Sequence, residues 1–142
     1  MATIQELLKQ ADFYSDGEVY VIVKLPPNAI TVAASIIAEI GDPFCALVVD
    51  KDEVTLVLPH EAVEEFGARL RDSVVSQDRY RLITVDVVVP LELFGFLAQV
   101  ASALAAQGIP VFAYASYRCD HLLVPEDKYE AAIISLKHLA NQ

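Results

Sequence analysis

The stretch VVVPLELFGFLAQVASALAAQGIPVFAYASYRCDHLLVP, residues 87–125, decides the fold. A β-branched run leads into a helical segment, and two short apolar strands follow. The helical face is marked by a 4-3-4 spacing of apolar residues at Leu93, Leu97, Val100 and Leu104, and Gly108 is placed to end the helix. The few polar or small residues fall at the joints between these elements: Glu92, Gly95, Asp120 and His121.

The same order of elements occurs earlier in the chain. PFCALVVDKDEVTLVLPHEAVEEFGARL, residues 43–70, aligns with PVFAYASYRCDHLLVPEDKYEAAIISL, residues 110–136. In each copy a proline opens an apolar strand, and a charged turn, a strand ending in proline and an acidic-capped helix follow. Upstream, residues 18–25 and 81–89 are both β-branched and alternating, which is typical of strands. The chain therefore contains two copies of strand–helix–strand–strand–helix.

This order of elements predicts an α+β fold made of two ferredoxin-like βαββα repeats packed together, with antiparallel sheets and helices on one face. We place the first repeat, with an N-terminal extension, at residues 1–76 and the second at residues 77–142. A ferredoxin-like unit has a fourth strand, and neither copy shows one after its last helix. The missing strands come from the N-terminal piece, in which Asp16-Gly17 forms a hairpin-type turn after ADFYS, or are shared between the copies.

Composition excludes several classes of function. The net charge is −10, and no basic stripe is present, which argues against nucleic acid and against anionic membranes. No apolar run approaches the roughly 20 residues that span a bilayer, and the N-terminus does not resemble a secretory signal. Two cysteines are too few for a disulfide scaffold, so we expect a cytoplasmic protein.

The second copy carries a resemblance to a known family. The strand that leads into Gly95-Phe96-Leu97, followed by GIPVFAYASYRCDHLLVP, resembles the ACT domain. The tandem copies with the DHLLVP ending are similar to the ACT pairs of aspartate kinases and of the arginine-sensor proteins. The resemblance implies a regulatory module that binds a free amino acid at the strand–helix loop, usually at an interface between two ACT units.

The loop at residues 90–95 is the candidate binding site. A helix start presents unpaired N–H groups that suit a carboxylate, and Gly95 leaves room for a ligand. Glu92, Asp86 and Asp120 are candidates for pairing with an ammonium or guanidinium group. The predicted ligand-binding residues are Glu92, Leu93, Phe94, Gly95, Asp120 and Asp86. Alternatively, Gly95 eases helix–sheet packing and Glu92 only complements the helix start.

The first copy differs from the second at this loop. It reads Pro26-Pro27-Asn28-Ala29, without glycine, and Asn28 is interpreted as a helix cap. We therefore expect one competent loop per chain, in the second copy.

Other chemically suggestive residues favour structural roles. Cys119 and His121 can share one side of a strand, but two ligands make a poor zinc site, so we predict no metal and no cofactor. No nucleophile elbow or glycine-rich phosphate loop is present, and we predict that the protein is not an enzyme.

Two functions are compatible with these observations. The first is an amino-acid-binding regulator that forms a homodimer and acts through a protein partner or a change in assembly. The alternative is a ligand-free dimerisation or protein-interaction module. The identity of the amino acid and of the partner is not encoded in any motif.

Overall fold

The computed structural model describes residues 2–142, which form five α-helices, eight strands and a short 3-10 helix. The helices are α1 (Ile4–Gln10), α2 (Ile30–Ile40), α3 (His60–Glu65), α4 (Phe96–Ala106) and α5 (Tyr129–Ala140), and the 3-10 helix is Glu126–Lys128. The strands are β1 (Asp12–Tyr14), β2 (Val19–Leu25), β3 (Ala46–Val49), β4 (Val54–Pro59), β5 (Val74–Val75), β6 (Tyr80–Asp86), β7 (Phe112–Ala115) and β8 (Asp120–Pro125). The order of elements and the antiparallel pairing confirm two ferredoxin-like repeats.

The chain divides into two compact units that differ from the predicted division at residue 76. One unit is Glu18–Tyr80, and the other combines residues 2–17 with Arg81–Gln142. The N-terminal segment therefore lies with the second repeat and not with the first. It does so because β1 pairs with β6 and because Leu7 and Leu8 are buried in the core of the second repeat.

The unit Glu18–Tyr80 has its fourth strand within its own sequence. Strand β4 pairs antiparallel with β2 along Tyr20–Leu25, and β3 lies beyond β4. Strand β5 also pairs with Val23 and Lys24 of β2, so it must occupy the other edge of that strand. The strand order β3–β4–β2–β5 completes the ferredoxin-like sheet. The sequence prediction missed β5 because a strand of two residues, Val74–Val75, has no detectable alternation.

The second unit obtains its fourth strand from the N-terminus. Its strand order is β1–β6–β8–β7, and in β1 Phe13 lies opposite Val85 of β6. The prediction that the segment ADFYS forms a strand is confirmed. The second repeat thus needs residues from both ends of the chain to complete its sheet.

Each unit has its own apolar core on the helix-covered face of its sheet. In the unit Glu18–Tyr80, the strands β2 and β4 bury alternate residues against α2 and α3. In the second unit, β6 and β8 pack against α1, α4 and α5, with Leu8, Ile83 and Leu136 fully buried. Burying a side chain of this size contributes about 1.5–3 kcal/mol.

Two sequence interpretations of helices need correction. Helix α4 begins only after Gly95, so its buried face is Phe96, Val100 and Leu104, whereas Leu93 lies in the preceding loop and Leu97 is more exposed than predicted. Asn28 is not a cap, because α2 begins after Ala29, where no side chain caps the helix. Both helices begin later in the chain than the sequence pattern predicts.

Among residues 2–142, no helix combines the length and the apolar character needed to cross a lipid bilayer.

Candidate ligand-binding site

The first wall of the candidate site is the segment that joins β6 to α4. A turn closes where the Leu93 N–H donates to the carbonyl oxygen of Pro90 at 3.0 Å. Gly95 then takes a left-handed conformation, with φ of 90°, and serves as the N-cap of α4. A side chain is unfavourable at such a position, and glycine is the residue that tolerates it. Gly95 therefore allows the chain to turn sharply from the loop into the helix.

The second wall is the turn between β7 and β8. Ala115 pairs with Asp120 at the end of the two strands. The turn is closed by the Ser116 N–H, which donates to the carbonyl oxygen of Cys119 at 3.0 Å, and by the Ser116 hydroxyl, which donates to the same oxygen at 3.1 Å. Residues 116–119 are therefore held by both backbone and side-chain hydrogen bonds.

The two walls are connected directly. The Val89 N–H donates to the carbonyl oxygen of Arg118 at 3.0 Å. This hydrogen bond brings the loop at residues 87–95 beside the turn at residues 116–119. The sequence gives no indication of this contact because the residues are far apart in the chain.

A cavity of about 270 Å³ lies between the walls. It is lined by Val89, Pro90, Leu91, Leu93, Gly95, Phe96, Leu97, Ala98, Ala115, Ser116, Tyr117, Arg118, Cys119 and Asp120. Three of the six predicted site residues, Leu93, Gly95 and Asp120, belong to this lining. The volume suits a molecule of amino-acid size, since it falls just below the range of pockets for drug-sized ligands.

The other three predicted residues do not line the cavity. Glu92 and Asp86 are exposed, and the Phe94 side chain is 89% exposed. Asp86 ends β6 and acts electrostatically on His121: burial lowers the pKa of His121, and the charges of Asp120 and Asp86 oppose that shift. The structure thus brings together only part of the set that the sequence suggested.

Sequence reasoning overlooked the contribution of the β7–β8 turn. Ser116, Tyr117, Arg118 and Cys119 all line the cavity, but among the turn residues only Asp120 was predicted. The charged turn Arg118-Cys119-Asp120 was visible in the sequence as a feature of the repeat. Its proximity to the helix start was not.

The electrostatics of the cavity come from two opposite features. The first turn of α4 supplies the N–H groups of Phe96, Leu97 and Ala98, which have no acceptor within the helix. Asp120, whose side chain is half-buried, lines the same cavity. Burial raises the pKa of Asp120, and the neighbouring His121 acts in the opposite direction. The site can therefore accept an anion at one end and a cation at the other.

Cys119 and His121 lie on one side of the turn, as the alternation of a strand requires. The Cys119 Sγ is 4.0 Å from the His121 Nε2. Within residues 2–142, no cluster of three or more histidine, cysteine, aspartate or glutamate side chains is arranged to hold a metal ion.

The strand–helix loop of the first repeat is built differently. The Ala29 N–H donates to the carbonyl oxygen of Pro26 at 3.0 Å, and the loop contains no glycine. A cavity of about 270 Å³ in this unit is lined instead by residues that include Val21, His60 and Arg79, away from that loop. One competent strand–helix loop per chain stays a prediction.

Comparison with known proteins identifies the class. The ACT domain family matches residues 75–138, which cover the second repeat from β5 into α5. The resemblance to ACT domains is thereby confirmed for the second repeat. The fold of the two repeats together matches that of the regulatory subunit of an aspartate kinase. The ACT domain match and the two aspartate kinase matches described next are to regulatory regions and not to catalytic domains.

Among solved structures, one protein of unknown function from Vibrio cholerae, described as a possible transport protein, is 27% identical. The match covers 96% of this chain and 95% of that one, with a TM-score of 0.75. A C-terminal regulatory domain assigned to aspartate kinase from Porphyromonas gingivalis is 17% identical over 93% of this chain and 98% of that one, with a TM-score of 0.68. The regulatory subunit of aspartate kinase from Thermus thermophilus is also 17% identical, over 89% of this chain and 95% of that one, with a TM-score of 0.63. The latter two likenesses show the shared fold.

Proposed function

We propose that this protein is a regulatory amino-acid sensor whose ligand occupies the cavity between the β6–α4 loop and the β7–β8 turn. The observation that carries the proposal is the placement of a helix start and a half-buried carboxylate on one cavity of about 270 Å³. An α-amino acid carries its two charges a few bonds apart and matches such a pair of features. The regulatory ACT match supports the same class of ligand.

The ligand carboxylate binds at the start of α4. The N–H groups of Leu97 and Ala98 are oriented along the helix axis, where the partial positive charge of the helix adds to the attraction. Gly95 leaves the approach open, since it has no side chain. Exposed Arg118 lies on the opposite wall and contributes positive charge at the rim.

The ligand ammonium group pairs with Asp120. Asp120 is the only carboxylate among the described lining residues. A single carboxylate can neutralise the α-ammonium group or a cationic side chain, but not both. The remaining lining near Val89, Leu91 and Leu93 is apolar, so we propose an aliphatic amino acid, with L-leucine as the first probe.

A thermal-shift screen across the 20 common amino acids tests this proposal. A ligand at a hundred times its dissociation constant stabilises the folded state by about 2.7 kcal/mol, which for a chain of this size raises the Tm by several degrees. We expect the largest shifts for aliphatic amino acids and smaller ones for L-arginine and L-lysine. If no amino acid shifts the Tm, the sensor proposal fails.

We also propose that the protein acts as a homodimer. Leu91 and Tyr117, at the cavity, are 70% and 82% exposed, and Phe94 in the same loop is 89% exposed. Exposed apolar side chains of this size grouped around one opening are typical of an interaction surface. A second copy covering this surface would close the cavity. Light scattering that shows a monomer at micromolar concentration would contradict the dimer.

The output of the sensor is a change in assembly or in contact with a protein partner. A ligand shifts such an equilibrium only by its difference in affinity for the two states. The alternative function, a ligand-free interaction module, is favoured by the same exposed side chains. It predicts dimerisation without any response to amino acids.

A further inference from the structure

The His121 imidazole bridges two elements beside the candidate cavity. Its Nδ1 lies 2.9 Å from the Thr84 Oγ1 on β6, and its Nε2 lies 3.0 Å from the Ser116 Oγ on the turn. Thr84 is 8% exposed, and His121 is half-buried. Ser116 lines the cavity, whereas His121 does not belong to the lining. The imidazole thus connects the cavity wall to a central strand of the sheet.

The hydrogen bonds of Ser116 determine which nitrogen carries the proton. The Ser116 hydroxyl uses its single hydrogen to donate to the carbonyl oxygen of Cys119 at 3.1 Å. With its hydrogen in that bond, the hydroxyl accepts from His121, and we infer that Nε2 carries the hydrogen and that Nδ1 accepts from the Thr84 hydroxyl. All three groups are satisfied when the imidazole is neutral with the hydrogen on Nε2.

The charged and titratable groups around His121 come from three elements. Asp86 lies on β6, Tyr114 is paired opposite His121 on β7, and Cys119 and Asp120 precede it in the chain. Burial lowers the pKa of His121, while the charges of Asp120 and Asp86 act in the opposite direction. The neutral form is therefore the form held at neutral pH.

We propose that His121 is a positioning residue for the candidate cavity: its neutral imidazole holds the turn at residues 116–119 against β6, and its protonation weakens binding of an ammonium group at Asp120. The effect of protonation on binding rests on the proposed function, whereas the positioning of the turn is a property of the protein without ligand.

Protonation acts in two ways. It converts Nδ1 from an acceptor to a donor, so the Thr84 hydroxyl must turn its hydrogen away inside a buried environment. It also places a positive charge beside Asp120, where it competes with the ligand ammonium group. By linkage, the ligand must then lower the pKa of His121 further.

Nuclear magnetic resonance of the full chain without ligand tests the positioning role. We expect the ¹⁵N signals of His121 to show the Nε2–H tautomer and the amide signals of residues 116–120 to move with the protonation midpoint of His121. In H121Q, which has no imidazole to titrate, the part of the movement that follows the His121 midpoint should disappear, while the part caused by Asp120 should remain. In T84V, which keeps the side-chain shape but removes the hydroxyl donor to Nδ1, the midpoint should move to higher pH.

Two results would overturn the positioning role. One is an Nδ1–H tautomer, and the other is a set of turn amides whose pH response is the same in H121Q as in the wild type. Neither result depends on whether an amino acid binds. Failure of the positioning role is thus distinguishable from failure of the sensor proposal.

Titration with L-leucine at pH 7.5 and pH 5.5 tests the coupling to binding. We expect the wild-type affinity to fall at the lower pH by up to about fivefold, the upper limit for a partly exposed charge interaction, and the H121Q affinity to change less. Asp120 protonation contributes in both proteins, and it contributes more in H121Q because the His121 charge, which lowers the pKa of Asp120, is absent there. A smaller fall in H121Q than in the wild type therefore reports the His121 charge. An equal fall in both would refute the coupling, and so would absence of leucine binding at both pH values, while the tautomer result would stand.

Discussion

Replacing Asp120 with asparagine separates the ligand role of this side chain from its structural role. Asn is nearly isosteric with Asp but carries no charge. We expect Asp120→Asn to weaken L-leucine binding because it removes the partner of the ligand ammonium group. A hydrogen bond to a charged group contributes about 1.5–3 kcal/mol, which corresponds to a loss of affinity of about 10- to 150-fold.

The same substitution should not destabilise the protein at neutral pH. Burial raises the pKa of Asp120 above its ordinary value of 3.8, so the folded state disfavours the ionised form. The charge therefore costs stability at any pH above the folded pKa, and the cost is absent below the unfolded pKa. Asp120→Asn removes it, so we expect equal or slightly greater stability than wild type at pH 7. This advantage should disappear as the pH falls toward 4.

Isothermal titration with L-leucine at pH 7 and urea unfolding at pH 7 and 4 measure the two effects. Asp86→Asn is the matched control, because Asp86 is also an aspartate near His121 but is exposed and lies outside the cavity lining. It should retain affinity within about fivefold, since exposed charge pairs contribute about 1 kcal/mol or less. Equal losses in the two variants, or unchanged affinity in Asp120→Asn, would refute the assignment of the ammonium site.

Three further predictions concern the loop and the N-terminal segment. Gly95→Ala and Gly108→Ala should each lower the free energy of unfolding in urea by about 1–2 kcal/mol, because both glycines have positive φ. Crowding adds little: an added Cβ at Gly95 meets only the Ile4 Cδ1, at 3.6 Å, and one at Gly108 meets nothing within 4 Å. Of this pair, only Gly95→Ala should also weaken leucine binding, so equal affinities would place the ligand elsewhere. Asn28→Ala should change stability by less than about 0.5 kcal/mol, because Asn28 caps no helix, and a loss near 1 kcal/mol would contradict this. Leu8→Ala should destabilise the protein by about 2–5 kcal/mol, while the exposed control Lys9→Ala should have little effect; a small loss for Leu8→Ala would contradict the docking of the N-terminal segment.

Local pattern was sufficient for the two repeats and for most of their strands and helices. The β-branched alternation of residues 18–25 and the proline spacing of the two copies are short-range features, and the physics of strand and helix formation acts on the same short range. The chemistry of the second loop was also readable, since a glycine before an apolar helix and an aspartate in a turn are recognisable from residue type. Three of the six predicted ligand-binding residues, Leu93, Gly95 and Asp120, line the cavity, and Asp120 was selected with the help of the resemblance to ACT domains.

Contacts between residues distant in the chain determined the parts of the fold and of the candidate site that local pattern did not predict. The two-residue strand Val74–Val75 has no sequence pattern that indicates its pairing partner. It forms because β2 has an unpaired edge at Val23 and Lys24. The N-terminal segment completes the second repeat because Leu7 and Leu8 bury their side chains against β6, α4 and α5, a gain that depends on residues more than 70 positions away. Likewise, the Val89–Arg118 and Thr84–His121 hydrogen bonds join residues that are remote in sequence. Which side chains face the cavity is set by these contacts, because a loop has no periodicity from which the direction of its side chains can be read.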